Sequence, residues 1–254
     1  MDWATRRRFI ILLIIGAIMV AFFATVLIAT FSKTPTCSDG IQNQDETGVD
    51  CGGSCRYLCI AEQQPPTVLF TKAIGNGLGR TDVVASIENK NAAAAAKNVP
   101  YRITLYGTGQ FLIQEVTGSF DLPPGATVPL YIPNISSGKQ TDIKAFLTIA
   151  TSSLQWFSLS PSALRAPLVS NTTQGGISNT PRIEAILTNP TIIPFTDVRV
   201  VVVVRDTHGD VIAASETIVP SIPAQGQANA TFTWNSAFPS APAAIEVTPI
   251  VSLP

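Results

Sequence analysis

The chain has 254 residues, a formal net charge of −1, and 13% charged against 46% hydrophobic side chains. With Arg6–Arg8 as its one basic cluster, it lacks the positive surface that nucleic acid requires. So few charges leave Ser, Thr, Asn, Gln and Ala to build the exposed surface, and 19 prolines and 17 glycines among short Val/Ile/Thr runs point to all-β structure.

Residues 1–8 form a short basic tail. Residues 9–31 read FIILLIIGAIMVAFFATVLIATF, with no charge and two threonines as the polar side chains. At ~1.5 Å per residue, a helix of this length crosses a ~30 Å hydrocarbon core. Arg6, Arg7 and Arg8 precede it and only Lys33 follows closely, which predicts a cytoplasmic amino terminus and an extracytoplasmic remainder. A cleaved signal peptide has the same basic start. Its apolar region is usually ~7–15 residues and ends in an A-x-A-like site, whereas this run is longer and Leu27-Ile28-Ala29 suits cleavage poorly. The expectation is a retained single-pass anchor in the cell membrane.

Residues 32–64 hold a cysteine-rich segment and a linker. Cys37, Cys51, Cys55 and Cys59 are the four cysteines of the chain. Outside the cytoplasm they predict two disulfides, with three pairings open. Zinc ligation is the rival reading, but zinc sites bring close cysteine pairs and Cys37 has no near neighbour. Asp39, Asn43, Asp45, Glu46 and Asp50 are hard oxygen donors of the kind calcium takes. With Asp39 at position 1, Asn43, Asp45 and Asp50 fall at positions 5, 7 and 12 of an EF-hand-like count. Ile41, Gln44 and the short Asp50 depart from that pattern. The alternative is a plain disulfide-closed knot in which Asp39-Gly40 and Thr47-Gly48 make turns. The pattern C-x-D-G-x-x-N-x-x-E-T-x-x-D-C-G-G-x-C, over Cys37–Cys55, resembles an Asp/Cys-rich repeat of extracytoplasmic prokaryotic proteins. The resemblance implies location and calcium rather than an activity. The repeat usually ends C-x-x-C, where this chain has Cys55-Arg-Tyr-Leu-Cys59.

Gln63-Gln64-Pro65-Pro66 reads as a linker. Beyond it the chain repeats with a period near 100: Val83–Asn89 matches Ile183–Asn189, Val99–Ile113 follows Val198–Ile212, and Leu122-Pro123-Pro124-Gly125 matches Ile222-Pro223-Ala224-Gln225. The expected architecture is mainly β, two tandem immunoglobulin-like β-sandwiches over residues 65–160 and 161–254. Gly107-Thr-Gly109 and Asp206-Thr-His-Gly209 are expected hairpin turns. Thr104-Leu105-Tyr106 and the later Pro123-Pro124-Gly125 resemble FxLYD-type modules of bacterial envelope proteins. Gly107 stands where that motif has Asp, and the second copy, Val204-Arg205-Asp206, keeps the Asp alone. Ala92–Ala96 suits a helix by propensity but is read as an inter-strand connection with at most one helical turn.

Alternation predicts that Tyr101, Ile103 and Leu105 face a core while Arg102 and Thr104 face out. The aligned stretch Val200–Val204 has valine at every position. Burying a valine is worth ~1.5–3 kcal/mol, more than strand propensity returns, so Val201 and Val203 are expected to be covered by the first module, another copy or a partner. No catalytic motif appears: His208 is a lone turn residue, and Asp121, Asp142, Asp197, Asp206 and Asp210 are not paired by sequence. Asn134, Asn171 and Asn229 start N-x-S/T triplets of the glycosylation type. The functional expectation is a membrane-anchored recognition or scaffolding protein for a protein or glycan partner. The alternative is a structural subunit of an envelope secretion, pilus or transport assembly, and an enzyme is the least favoured class.

Overall fold

The computed structural model describes residues 3–31, 36–77, 79–138, 140, 142–151 and 154–254. Met1, Asp2, Lys33 and the start of the expected 32–64 segment lie outside the described residues. The protein is mainly β, with 49% strand and 15% helix. It divides after Cys55 into two compact units.

The first unit contains helix α1 (Trp3–Phe31), which begins ahead of the apolar run and takes in Arg6–Arg8. Its window Thr5–Ile28 has no buried share. A helix apolar on every side and exposed along that window fits a membrane anchor or a signal peptide. The Thr25 hydroxyl donates to the Phe22 carbonyl at 2.8 Å, which satisfies it without water.

The second unit carries the strands, in chain order β1 (Thr67–Gly77), β2 (Arg80–Glu88), β3 (Ala94–Tyr106), β4 (Leu112–Leu122), β5 (Thr127–Ser136), β6 (Lys144–Ile149), β7 (Trp156–Ser158), β8 (Leu168–Gly175), β9 (Arg182–Thr188), β10 (Phe195–Arg205), β11 (Val211–Ile222), β12 (Gln227–Thr233) and β13 (Ala244–Ile250). Every pairing is antiparallel. One sandwich sets sheet β1-β2-β5 against β4-β3-β6, with β7 beside the start of β3. The other sets β8-β9-β12 against β11-β10-β13, the same order seven strands later.

Each sandwich has its own core. Val83, Ala85 and Ile87 of β2 meet Tyr101, Ile103 and Leu105 of β3 in the first; Ile183, Ala185 and Leu187 of β9 meet Val200, Val202 and Val204 of β10 in the second. Alternation on β3 leaves Arg102 exposed. Both sandwiches also bury an asparagine where the chain crosses between sheets. The Asn89 side-chain amide donates to the carbonyls of Ala94 and Pro123, and its oxygen accepts from the Asn91 amide. Asn189 donates to the carbonyls of Ile193 and Pro223 and accepts from the Thr191 amide. Buried main-chain carbonyls need hydrogen-bond partners, and in each corner one asparagine side chain supplies them.

Two local expectations differ from the structure. Ala92 and Ala93 form a turn, and Ala94–Ala96 begin β3 rather than a helical turn. Burial overrides propensity there: Ala94, Ala95 and Ala96 are fully covered, pairing with Ser158, Phe157 and Trp156. The stretch before Pro65 is also not a free linker. Leu58 N–H donates to the Trp156 carbonyl, Ser158 N–H to the Arg56 carbonyl, and Gln64 N–H to Asn91 Oδ1.

Candidate functional site

The cysteine-rich segment closes with two disulfides, Cys37–Cys55 and Cys51–Cys59, and no cysteine is free. This chooses among the three pairings and overturns the zinc alternative, since oxidised sulfur offers no thiolate. Within Cys37–Cys55 the acidic groups turn inward onto main-chain amides. Asp39 accepts from the amides of Thr36 and Ile41 and from Asn43 Nδ2. Asp50 accepts from the amides of Asp39 and Gly40. Buried Glu46 accepts from the amides of Asn43 and Asp50. Asp45 accepts chiefly from the Ser54 hydroxyl at 2.6 Å, and this bond, with main-chain hydrogen bonds at Asp45 and Ser54, holds its carboxyl below the ordinary value. Glu46 Oε1 also lies 3.2 Å from Cys55 Sγ, but a disulfide sulfur has no proton to donate. The clustered Cys37, Glu46 and Cys55 are thus a disulfide and a neighbouring carboxylate. Main-chain N–H groups thus supply hydrogen-bond partners to these carboxylate oxygens.

On β10, Val201 is 1% and Val203 3% exposed. They pack with Val84, Val211 and Ala214, and against Phe70, Ile74, Tyr131 and Ile250. Val211, Ala214 and Ile250 are neighbours on the same sheet, whereas Phe70, Ile74, Val84 and Tyr131 come from the outward face of the first sandwich, from β1, β2 and β5, so all five valines of Val200–Val204 are buried. Arg205 stacks over Phe70, 4.7 Å from the ring centre, and bonds Glu246 at 3.1 Å. Near the carboxy terminus Leu253 is buried with Ala95 and Phe157.

Beside this seam runs a cleft of about 730 Å³. Lys72–Asn76 of β1 and Val211–Ser215 of β11 line it, together with Asp82, Tyr131, Asp206, Asp210 and the loop from Thr233 to Ser240. Trp234 and Phe238 of that loop meet edge to face, 5.0 Å apart. Asp82 accepts from the Tyr131 hydroxyl (2.8 Å), Asn76 Nδ2 and the Asn134 amide. Burial raises Asp206, but hydrogen bonds from the amides of His208 and Asp210 and the Ser240 hydroxyl outweigh it and hold the carboxyl below its usual range. Tyr131 is pushed up by burial first and by the neighbouring Asp82 second. His208 itself is exposed at the turn. Asp206 and Asp210 share a turn, whereas Asp121 and Asp197 line a separate cavity of about 380 Å³ with Arg199 and Glu216. Sequence reasoning passed over Trp234, Phe238 and Asn76, because nothing local relates a loop after β12 to the end of β1.

All three N-x-S/T asparagines are exposed on strands. Asn171 and Asn229 both stand opposite Ile186, and their triplet threonines, Thr173 and Thr231, both stand opposite Glu184.

No family model matches the chain, and no curated protein matches it. Among solved structures, a red sea bream transglutaminase overlaps 74% of this chain and 31% of its own length, at 11% identity and a TM-score of 0.28. A β-glucuronidase from glycoside hydrolase family 2 overlaps 82% of this chain and 25% of its own length, at 12% identity and a TM-score of 0.24. The chain thus spans about a third and a quarter of these enzymes, and superpositions this loose carry no functional argument.

Proposed function

We propose that this chain is a single-pass membrane protein whose two sandwiches work outside the cell as one rigid recognition or scaffolding body. The observation that carries the reading is the buried seam of Val201, Val203, Val84 and Phe70. Tandem modules on a flexible joint leave such faces polar. Here the apolar contact fixes one module on the other, which suits a surface that must keep its shape for a partner. The apolar α1 supports the anchor, Arg6–Arg8 support an inside amino terminus, and the disulfides support an oxidising compartment. The matching strand orders support a tandem repeat.

The test is cross-linking on intact cells followed by solubilisation and purification of the full chain. Substoichiometric partners that depend on the sandwiches fit recognition. A fixed-stoichiometry complex would move the reading to a structural subunit of an envelope assembly. A soluble mature form without residues 9–31 would overturn the anchor.

Calcium is a second reading for the cysteine-rich loop, favoured by one group: Asn43 Oδ1 is buried without a hydrogen-bond partner among the described residues. If calcium binds, millimolar amounts protect residues 37–59 from proteolysis and Asp39→Ala abolishes the protection. No protection leaves the amide-bonded knot.

A further inference from the structure

The cleft beside the seam meets its two strands in unbroken runs, Lys72 through Asn76 and Val211 through Ser215. Side chains alternate along a strand, so a cavity against a sheet face touches every second residue. A cavity that touches consecutive residues lies along the strand's edge. Both strands are edges: among the described residues β1 pairs with β2 alone and β11 with β10 alone. On β11 both faces are covered, since Val211 and Ala214 pack into the seam while Ile212 and Ala213 pack into the second core. Its edge is the side left open toward the cleft. An open edge presents main-chain N–H and C=O groups that accept an added strand.

The lining is acidic. Asp82, Asp206 and Asp210 face one cation, Lys72. Asp82 and Asp206 are committed to internal donors, which leaves Asp210, exposed at the turn, as the carboxylate that meets a ligand. Trp234 and Phe238 add an apolar wall at the same end. We propose that the edge of β11 binds an extended segment of a partner protein by strand addition, with a Lys or Arg of that segment at Asp210 and an apolar neighbour against Trp234 and Phe238. The proposal rests on the recognition reading and names the kind of partner it takes.

Four probes test it on the detergent-solubilised full chain by calorimetric titration: an octapeptide alternating Val and Lys, its Val/Glu counterpart, the Val/Lys peptide N-methylated along its backbone, and chitotetraose. The Val/Lys peptide is expected to bind, and the Glu and N-methylated peptides to bind at least about tenfold more weakly. Asp210→Lys should weaken the Val/Lys peptide at least about fivefold and Lys72→Gln should tighten it, both with an unchanged melting midpoint. Equal binding of the N-methylated peptide, no Val/Lys binding, indifference to Asp210→Lys, or chitotetraose binding with the same Asp210 dependence would each overturn it. If cellular partners copurify equally with Asp210→Lys, this inference fails while the recognition reading stands. If none copurifies with the unaltered chain, the recognition reading itself fails.

Discussion

The outward faces of sheets β1-β2-β5 and β8-β9-β12 occupy the same place in their sandwiches, yet they are chemically opposite. Across the first run Lys72, Val84 and Tyr131 in one row, with Phe70 and Ile74 to either side. Across the second run Thr173, Glu184 and Thr231, with Asn171 and Gly175 at the sites of Phe70 and Ile74. The outer faces of β3 and β10 differ in the reverse sense: Arg102 and Thr104 are replaced by Val201 and Val203. Apolar faces thus meet at the seam, while the far sides carry Arg102 and Thr104 beside the exposed Phe146 on one sandwich and Thr173, Glu184 and Thr231 on the other.

A charge on each kind of face gives the largest contrast. Val201→Asp puts an unpaired carboxylate into the seam and should lower unfolding stability by about 3 kcal/mol or more, with the sandwiches losing their fixed relation. Asn171→Asp on the open face should stay within about 0.5 kcal/mol. Denaturant unfolding and small-angle scattering of both variants read the difference. Equal effects would mean that the seam does not hold the modules.

A second pair asks what the sandwiches share. Asn89→Ala and Asn189→Ala each strand buried carbonyls, and each should cost about 2–3 kcal/mol. Similar losses in denaturant melts are expected. A loss for Asn89 alone would show that the second corner is satisfied by something other than its amide.

These corners also show how far the sequence can be read. Asn89 and Asn189 align, so their equivalence is legible, but their role depends on carbonyls more than thirty positions away across the turn at Pro123 and Pro223. The strands of both cores are legible because alternation writes burial directly into Tyr101–Leu105. Five valines at Val200–Val204 reveal a strand covered on both faces, while nothing local names Val84 and Phe70 as the cover. Ala92–Ala96 misleads because propensity there yields to packing on Trp156. In the cysteine loop, Asp39 and Asp50 are legible as a cluster. That main-chain amides hydrogen-bond them is not, because it depends on turns with positive φ at Gly40 and Asp50.

A smaller contrast separates two arginines. Arg205→Met removes a cation stacked on Phe70 at the seam and should cost about 1 kcal/mol. Arg102→Met breaks an exposed pair with Glu115 at 3.9 Å and should cost no more than about 0.5 kcal/mol. Thermal melts at low and high salt check this: the Arg102 effect should vanish with salt and the Arg205 effect should persist.

The smallest effect depends on pH. Glu216 stands opposite Val201 on β11, where the first sandwich has Thr117 opposite Arg102. Burial raises its carboxyl above the ordinary value, and Arg199 only partly offsets this. A carboxyl raised in the folded state binds its proton more tightly folded than unfolded. Stability then falls as pH rises from the unfolded value, about 4.3, through the raised folded one, and stays lower above it. Glu216→Gln carries no titrating group, so it should escape that decline. The variant should melt slightly above the unaltered chain at pH 7, and the gap should close as pH falls below about 4. A gap that widens toward acid would mean that Glu216 is stabilised as a charged partner of Arg199, and the seam would then be held at its rim by an ion pair as well as by its valines.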